Sequence, residues 1–175
     1  YDLKFACFKS NNWIGNGLCI PAGPMREEIS SLKRFDAVFL NGSLGNFEKI
    51  ENQIKSINLD IKIFKTFYKI LNIKKYNLES KYLIFSGIGN PSDFKDILLE
   101  NKFDVVREIV FPDHYDYNLN DFKKIQSIAS DEKLKILTTE KDFMKIPEKF
   151  KKYIDYLTID LVIRDEKILI ELLTK

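Results

Sequence analysis

The sequence predicts an α/β protein with mostly parallel sheets and flanking helices. Three observations carry this expectation. Short apolar runs of strand length alternate with longer segments of helical period, the order expected when crossover helices lay strands side by side. Several of the runs close on tight-turn signals, Asn41-Gly42 and Ser86 to Asn90 among them. The pattern fades over the polar stretch Asn72 to Ser80 and then restarts from a fresh strand. The expected organisation is therefore a larger domain over 1–73, a linker over 74–80 and a smaller α/β domain over 81–175. The last strand and helix are candidates to return to the larger domain.

Taken in order, Leu3 to Phe8 reads as a buried strand, bounded by charge and then by Ser10-Asn11-Asn12. A loop rich in Gly, Asn and Pro follows, and a helix is expected from Met25 to Arg34. Asp36 to Leu40 reads as a second buried strand, and Asn46 to Ile57 as a helix. Ile61, Ile63 and Phe67 then alternate with Lys62, Lys65 and Lys69, the period of a half-exposed strand. Beyond the polar stretch come a strand over Tyr82 to Phe85, a turn over Ser86 to Asn90 and a helix over Pro91 to Glu100. A strand over Asp104 to Val110, a loop over Phe111 to Tyr117 and a helix over Leu119 to Ser130 follow. The chain closes with a strand over Lys135 to Leu137, a short helix after Thr139, a strand over Tyr156 to Ile163 and a final helix to Leu173. No internal repeat or low-complexity run is present.

Bulk composition narrows the function classes. The 175 residues are 45% hydrophobic, enough for one good core or two small ones. Lys and Arg number 28 against 26 Asp and Glu, so the net charge is only +2. That near balance argues against a nucleic-acid partner held by bulk charge. The longest uncharged stretch, Asn11 to Met25, is broken by three Gly, two Pro and three Asn, so it is no membrane span. Cys7 and Cys19 are too few for a disulfide framework and fit structural thiols in a reduced cytosolic setting. The chain opens on Tyr1 in a strand-like run and has no signal peptide, which suggests a fragment.

Four segments could carry chemistry. Gly15-Asn16-Gly17 and Pro21 to Glu27 fix a loop that is expected to end at a helix start, where unpaired N–H groups welcome phosphate. Arg26 could offer a bidentate fork to phosphate and Glu27 could help hold Mg²⁺. The bland alternative is a Pro-rich connector. Ser86 to Pro91 follows a strand and opens a helix, close to a dinucleotide fingerprint, but Ser92 stands at the third glycine position. A turn that merely needs glycine fits as well. Phe111 to Tyr117 holds His114, the one histidine of the chain, after a strand and beside Asp113 and Asp116. Thr138 to Asp142 also follows a strand; Thr139 and Asp142 suit a helix cap, and Lys141 could face an anionic ligand.

In this order and spacing the blocks resemble one family. Gly-Asn-Gly, Pro-Ala-Gly-Pro-Met-Arg-Glu, Asp-Ala-Val-Phe-Leu-Asn-Gly, Ser-Gly-Ile-Gly-Asn-Pro, Phe-Pro-Asp-His-Tyr-Asp-Tyr and Leu-Thr-Thr-Glu-Lys-Asp are similar to successive blocks of the tetraacyldisaccharide 4'-kinases. The resemblance implies part of a P-loop NTPase-type core plus a smaller C-terminal α/β domain. It implies transfer of the γ-phosphate of ATP, with Mg²⁺, to the 4'-hydroxyl of a tetraacyldisaccharide 1-phosphate, the lipid A precursor, giving lipid IV-A. It further implies peripheral membrane association on the cytoplasmic face of the bacterial inner membrane.

By the same resemblance, His114 is the catalytic histidine that supports an aspartate activating the sugar hydroxyl. Arg26 and Glu27 match the active-site Arg-Glu pair, although Met25 stands where leucine is usual, and Glu27 is the metal candidate. Asn16, Arg26, Glu27 and Lys141 are the candidates for substrate or nucleotide binding. A P-loop needs GxxxxGK[ST], yet none of the seven glycines precedes a lysine. The expectation is a fragment without the P-loop and inactive alone. The rival readings are a non-catalytic α/β module for a phosphorylated ligand or partner protein, and a nucleotide-cofactor domain built around Gly87 and Gly89.

Overall fold

A computed structural model describes residues 3–42 and 47–174. The chain is mixed α/β with mostly parallel sheets and flanking helices, and it divides into two compact units. The first holds residues up to Lys69 together with Leu161–Lys175; the second is Ile70–Asp160.

In the first unit, β1 (Phe5–Lys9) and β2 (Ala37–Asn41) run parallel, and β2 pairs in parallel with β3 (Lys62–Ile70). The sheet order is β1-β2-β3-β8, where β8 is Ile159–Ile163. Alternation along β2 assigns the two faces. Val38 and Leu40 join Leu32 and the inner face of α1 (Phe47–Ile57), supplied by Phe47, Ile50 and Ile54. Ala37 and Phe39 turn the other way, towards Phe64 and Leu169 of the last helix, α6 (Glu166–Leu173). The expected helix start at Asn46 lies outside the described residues.

The helix expected from Met25 to Arg34 does not form. A 3₁₀ segment of six residues, Ile29–Arg34, stands in its place. Met25 is instead bridged to the loop before it: its N–H donates to Leu18 O, and its carbonyl accepts from Ile20 N–H at 2.8 Å. A residue bonded on both sides of its peptide in this way cannot start a helix, so the anion-binding helix terminus expected beside Arg26 is absent.

The second unit is a parallel four-stranded sheet of order β5-β4-β6-β7. Its strands are β4 (Lys81–Ser86), β5 (Asp104–Val110), β6 (Lys135–Thr139) and β7 (Ile154–Leu157). The central β4 is apolar on both faces, as a strand covered from both sides must be. Tyr82 and Ile84 pack with Phe94, Ile97 and Leu98 of α2 (Pro91–Glu100). Leu83 and Phe85 pack on the other side with Phe122 and Ile125 of α3 (Leu119–Asp131). Each such side chain, fully buried, stabilises the unit by about 1.5–3 kcal/mol. A full capping box fixes the start of α3. Asn118 Oδ1 accepts from the N–H of Asn120 and of Asp121, while Asp121 Oδ2 accepts from Asn118 N–H.

Residues 74–80, expected as a linker, lie inside the second unit. Tyr76 packs its ring at a tilt against Phe103, and its hydroxyl donates to Tyr156 O. The single strand expected over Tyr156 to Ile163 is two strands in two sheets. The break falls at Thr158, whose N–H donates to Asn72 Oδ1 and whose carbonyl accepts from Leu71 N–H. Two short helices, α4 (Glu140–Phe143) and α5 (Glu148–Lys151), complete the unit.

Candidate functional site

The second sheet winds outward from β4 to β5, then crosses back over β4 to place β6 on its other flank. That reversal is a topological switch point, and open α/β sheets hold ligands outside the carboxyl ends of the strands there. Three loops meet at this edge: 87–90 after β4, 111–117 after β5, and the β6–α4 junction at Thr139–Asp142.

Asp142 is the anchor of the edge. Its carboxylate has no exposed surface, and Oδ2 accepts from Gly87 N–H at 3.0 Å and from Thr139 Oγ1 at 2.7 Å. Thr139 Oγ1 also caps α4 by accepting from Asp142 N–H. One strand position earlier, Thr138 Oγ1 donates to Phe85 O at 2.7 Å, cross-bracing β4 and β6. Gly87 must be glycine, because a Cβ there would sit 2.9 Å from the Tyr117 hydroxyl and 3.3 Å from Pro112 O. Burial, and next the Asp142 charge, hold the Tyr117 hydroxyl far above its ordinary pKa, so it stays protonated.

His114 stands on this base. Its N–H is shared between Gly87 O at 3.3 Å and Asp113 Oδ1 at 3.0 Å, and its φ of +59° is in the left-handed region. That conformation costs a non-glycine residue about 1–2 kcal/mol, and such outliers concentrate where function over-determines the backbone. The ring itself is 76% exposed, with Nε2 3.8 Å from Asp113 Oδ2. Lys141 Nζ lies 3.5 Å from Asp113 Oδ1, so Asp113 stands between an imidazole and an ammonium. Two of the sequence candidates, His114 and Lys141, are thus brought to one carboxylate.

The glycine turn here is not a phosphate cradle. Gly87 N–H is occupied by Asp142, and the first turn of α2 carries Asp93, whose Oδ1 accepts from Asn90 Nδ2. An anion would meet a carboxylate and a spent amide. The dinucleotide reading of Gly87 and Gly89 therefore loses its physical basis.

The other candidates lie in the first unit. Arg26 and Glu27 are exposed and line a cleft of about 660 Å³ together with Phe8, Trp13 and Met25. Glu27 is ion-paired with Arg34. Asn16 is not among the cleft residues, and both ends of its amide serve the loop: Nδ2 donates to Ala22 O and Oδ1 accepts from Leu18 N–H. Among the described residues no group of three or more His, Cys, Asp or Glu is placed to hold a metal ion.

From sequence, Asp142 reads as half of a helix cap, and Tyr117 carries no signal of its own. The Thr139–Asp142 spacing signals the cap, whereas the bond to Gly87 spans 55 residues and leaves no local trace. Asp113 stood in the sequence only as a neighbour of His114.

Fold and site together define an α/β protein with acid–base and cationic side chains gathered at the switch point of a parallel sheet. The family model for LpxK, tetraacyldisaccharide-1-P 4'-kinase, matches residues 1–175, and the chain belongs to that family. The tetraacyldisaccharide 4'-kinase of Pelagibacter ubique is 43% identical over the whole chain, which covers 56% of that protein. The enzyme of the same name from Elusimicrobium minutum is 31% identical over 95% of the chain and 48% of its own length. The chain thus spans about half the length of these relatives. A solved structure of LpxK from Aquifex aeolicus, described as a complex with ATP, shares the fold with a TM-score of 0.56. It is 24% identical, over 95% of this chain and 50% of that one.

Proposed function

We propose that this chain is the part of a lipid A 4'-kinase that brings His114, Lys141 and the Arg26–Glu27 pair to the transfer of the ATP γ-phosphate. The acceptor is the 4'-hydroxyl of a tetraacyldisaccharide 1-phosphate, and the product is lipid IV-A. The hydroxyl oxygen attacks the γ-phosphorus, the bond to the β–γ bridging oxygen breaks, and the hydroxyl proton passes to a carboxylate. Phosphoryl transfer needs little covalent help from the protein; positioning and charge stabilisation do most of it.

The phosphate cradle and the proton-accepting carboxylate are assigned to the remainder of the enzyme, since no segment of these 175 residues matches a P-loop. His114 hydrogen-bonds and orients that carboxylate, while Lys141 and Arg26 answer the anionic charge of phosphate. Glu27 is the Mg²⁺ ligand that the resemblance implies. No helix among the described residues is long and apolar enough to cross a membrane. The substrate would be met from the cytoplasmic face of the inner membrane by peripheral contact.

The observation that carries this reading is the backbone of His114, held in a costly conformation by two hydrogen bonds while its ring is left exposed beside Asp113. A histidine kept only for packing would bury its ring. In the full-length enzyme, His114→Ala is expected to lower kcat by about 10²–10⁴, the usual reach of acid–base groups, with ATP binding and Tm near wild type. Asp113→Asn should have a smaller effect. Wild-type kcat in His114→Ala would end the catalytic reading, and a loss of stability would assign the residue to the fold.

A further inference from the structure

The edge holds a buried carboxylate that the proposed reaction does not use. Asp142 lies beneath the loops, with Oδ2 bonded to two donors from different strands' ends. Its other oxygen, Oδ1, is also buried and makes no well-formed hydrogen bond, and the neighbouring Tyr117 hydroxyl, likewise without one, interacts electrostatically with the carboxylate. A buried carboxylate is costly unless donors surround it, and an amide such as Gly87 N–H would be left orphaned without it.

Gly87 is bonded on both sides of its Cα. Its N–H donates to Asp142, and its carbonyl accepts from His114 N–H. The path from Asp142 to the His114 backbone is therefore two hydrogen bonds and one residue long. Tyr117 closes the turn from a third direction, its hydroxyl packed where a Gly87 side chain would stand. A turn filled from three sides has no room to relax, so any shift in the carboxylate is carried to the histidine.

We propose that Asp142 is a positioning residue for the kinase reaction: its buried carboxylate clamps the Gly87 turn and so sets the backbone, and hence the ring position, of His114. This rests on the reading of His114 given above. It also gives a physical reason for the three separated blocks Ser-Gly-Ile-Gly-Asn, Phe-Pro-Asp-His and Thr-Thr-Glu-Lys-Asp to occur in one chain, since each supplies one link of the path.

The test is a double-mutant cycle in the full-length enzyme, with His114→Ala, Asp142→Ala and the pair. Misplacing a catalytic group by an ångström can cost about 10² in rate, so Asp142→Ala should lower kcat by about that factor while KM for ATP holds. The double variant should be no slower than His114→Ala alone, because both changes remove one contribution. Losses that multiply would overturn the proposal. If Asp142→Ala does not fold, Asp142→Asn, which keeps the shape and weakens both bonds, takes its place in the same cycle with a smaller expected loss.

Amide hydrogen exchange at Gly87 and His114 gives a readout besides activity. Both amides should lose protection in Asp142→Asn, and unchanged protection at His114 would overturn the clamp. If His114→Ala keeps wild-type kcat, the catalytic reading fails by itself. Exchange at the two amides then still decides whether Asp142 holds this backbone.

Discussion

In the first unit, the loop from Gly15 to Glu27 is shaped by near neighbours in sequence. Asn16 reaches Ala22, six residues on, Leu18 N–H turns back to Asn16, and Arg34 meets Glu27 across seven residues. In the second unit, the turn at Gly87 is shaped from afar: Asp142 is 55 residues away, and the neighbouring brace from Thr138 to Phe85 spans 53. Both loops are glycine-rich, and both read in the sequence as candidate sites. The first carries its polar side chains at the surface, in a loop tied to itself. The second rests on a buried carboxylate bonded across strands, which is what preorganises a site on rigid elements. Glycine density alone does not tell the two apart; the reach of the bonds does.

The largest effect expected from breaking this contrast is at Gly87. An alanine there puts a methyl group 2.9 Å from the Tyr117 hydroxyl, 3.3 Å from Pro112 O and 3.4 Å from Asp142 Oδ1. Overpacking of this kind costs about 1–3 kcal/mol, and Tm should fall accordingly. Tyr117→Phe removes the nearest atom and should restore part of the loss. Gly17→Ala is the partner experiment in the other loop. Gly17 has a φ of +78° and nothing within 4 Å of a Cβ, so alanine meets only left-handed strain of about 1 kcal/mol. No second substitution should relieve it. If Tyr117→Phe fails to help Gly87→Ala, the close packing of the second loop is not what demands glycine there.

The same contrast explains what could be read from the sequence. Elements with local causes were legible. α2 opens on Pro91 and α3 on an Asn118 capping box, and β4 announces itself as an apolar run before a polar turn. His114 and Lys141 were legible as candidates because each follows a strand in an α/β pattern. The helix expected from Met25 was not there, because bonds of Met25 to Leu18 and Ile20 override its helical period. Thr158 breaks the last expected strand for a similar reason: Asn72, 86 residues earlier, captures its N–H. Asp142 and Tyr117 could not be placed at the centre of the site, since their partners are brought in by the sheet.

A middle-sized effect is expected at Tyr76, in the stretch that reads as a linker. Burial, and then the Asp155 charge, push its hydroxyl pKa up to about 12. Below pH 10 the folded and unfolded states both hold this proton. Between about 10 and 12 the unfolded chain releases it and the folded one does not, so stability contributed by the neutral hydroxyl falls as pH rises through that window. Tyr76→Phe should lower Tm at neutral pH by removing the bond to Tyr156 O. The gap from wild type should then close between pH 10 and 12, as followed by circular dichroism melts. A gap constant across that range would mean that Tyr76 ionises as freely in the fold as outside it, and that residues 74–80 are less firmly held than the second loop.

The smallest effect on stability is expected at Glu27. Its partner Arg34 is 58% exposed and Glu27 itself 50%, and ion pairs at such sites contribute about 0–1 kcal/mol because water and salt screen them. Glu27→Gln in the full-length enzyme should therefore leave Tm within about a degree or two of wild type. Any loss of activity in that variant is then a loss at the site and not of the fold, the separation that the buried Asp142 cannot offer without a second readout. KM for ATP and for the disaccharide, measured beside Tm, shows which substrate Glu27 serves. A fall of several degrees would instead mean that the Glu27–Arg34 pair holds the first loop in place. That loop would then be braced more like the one at Gly87 than its exposed, short-range bonds imply.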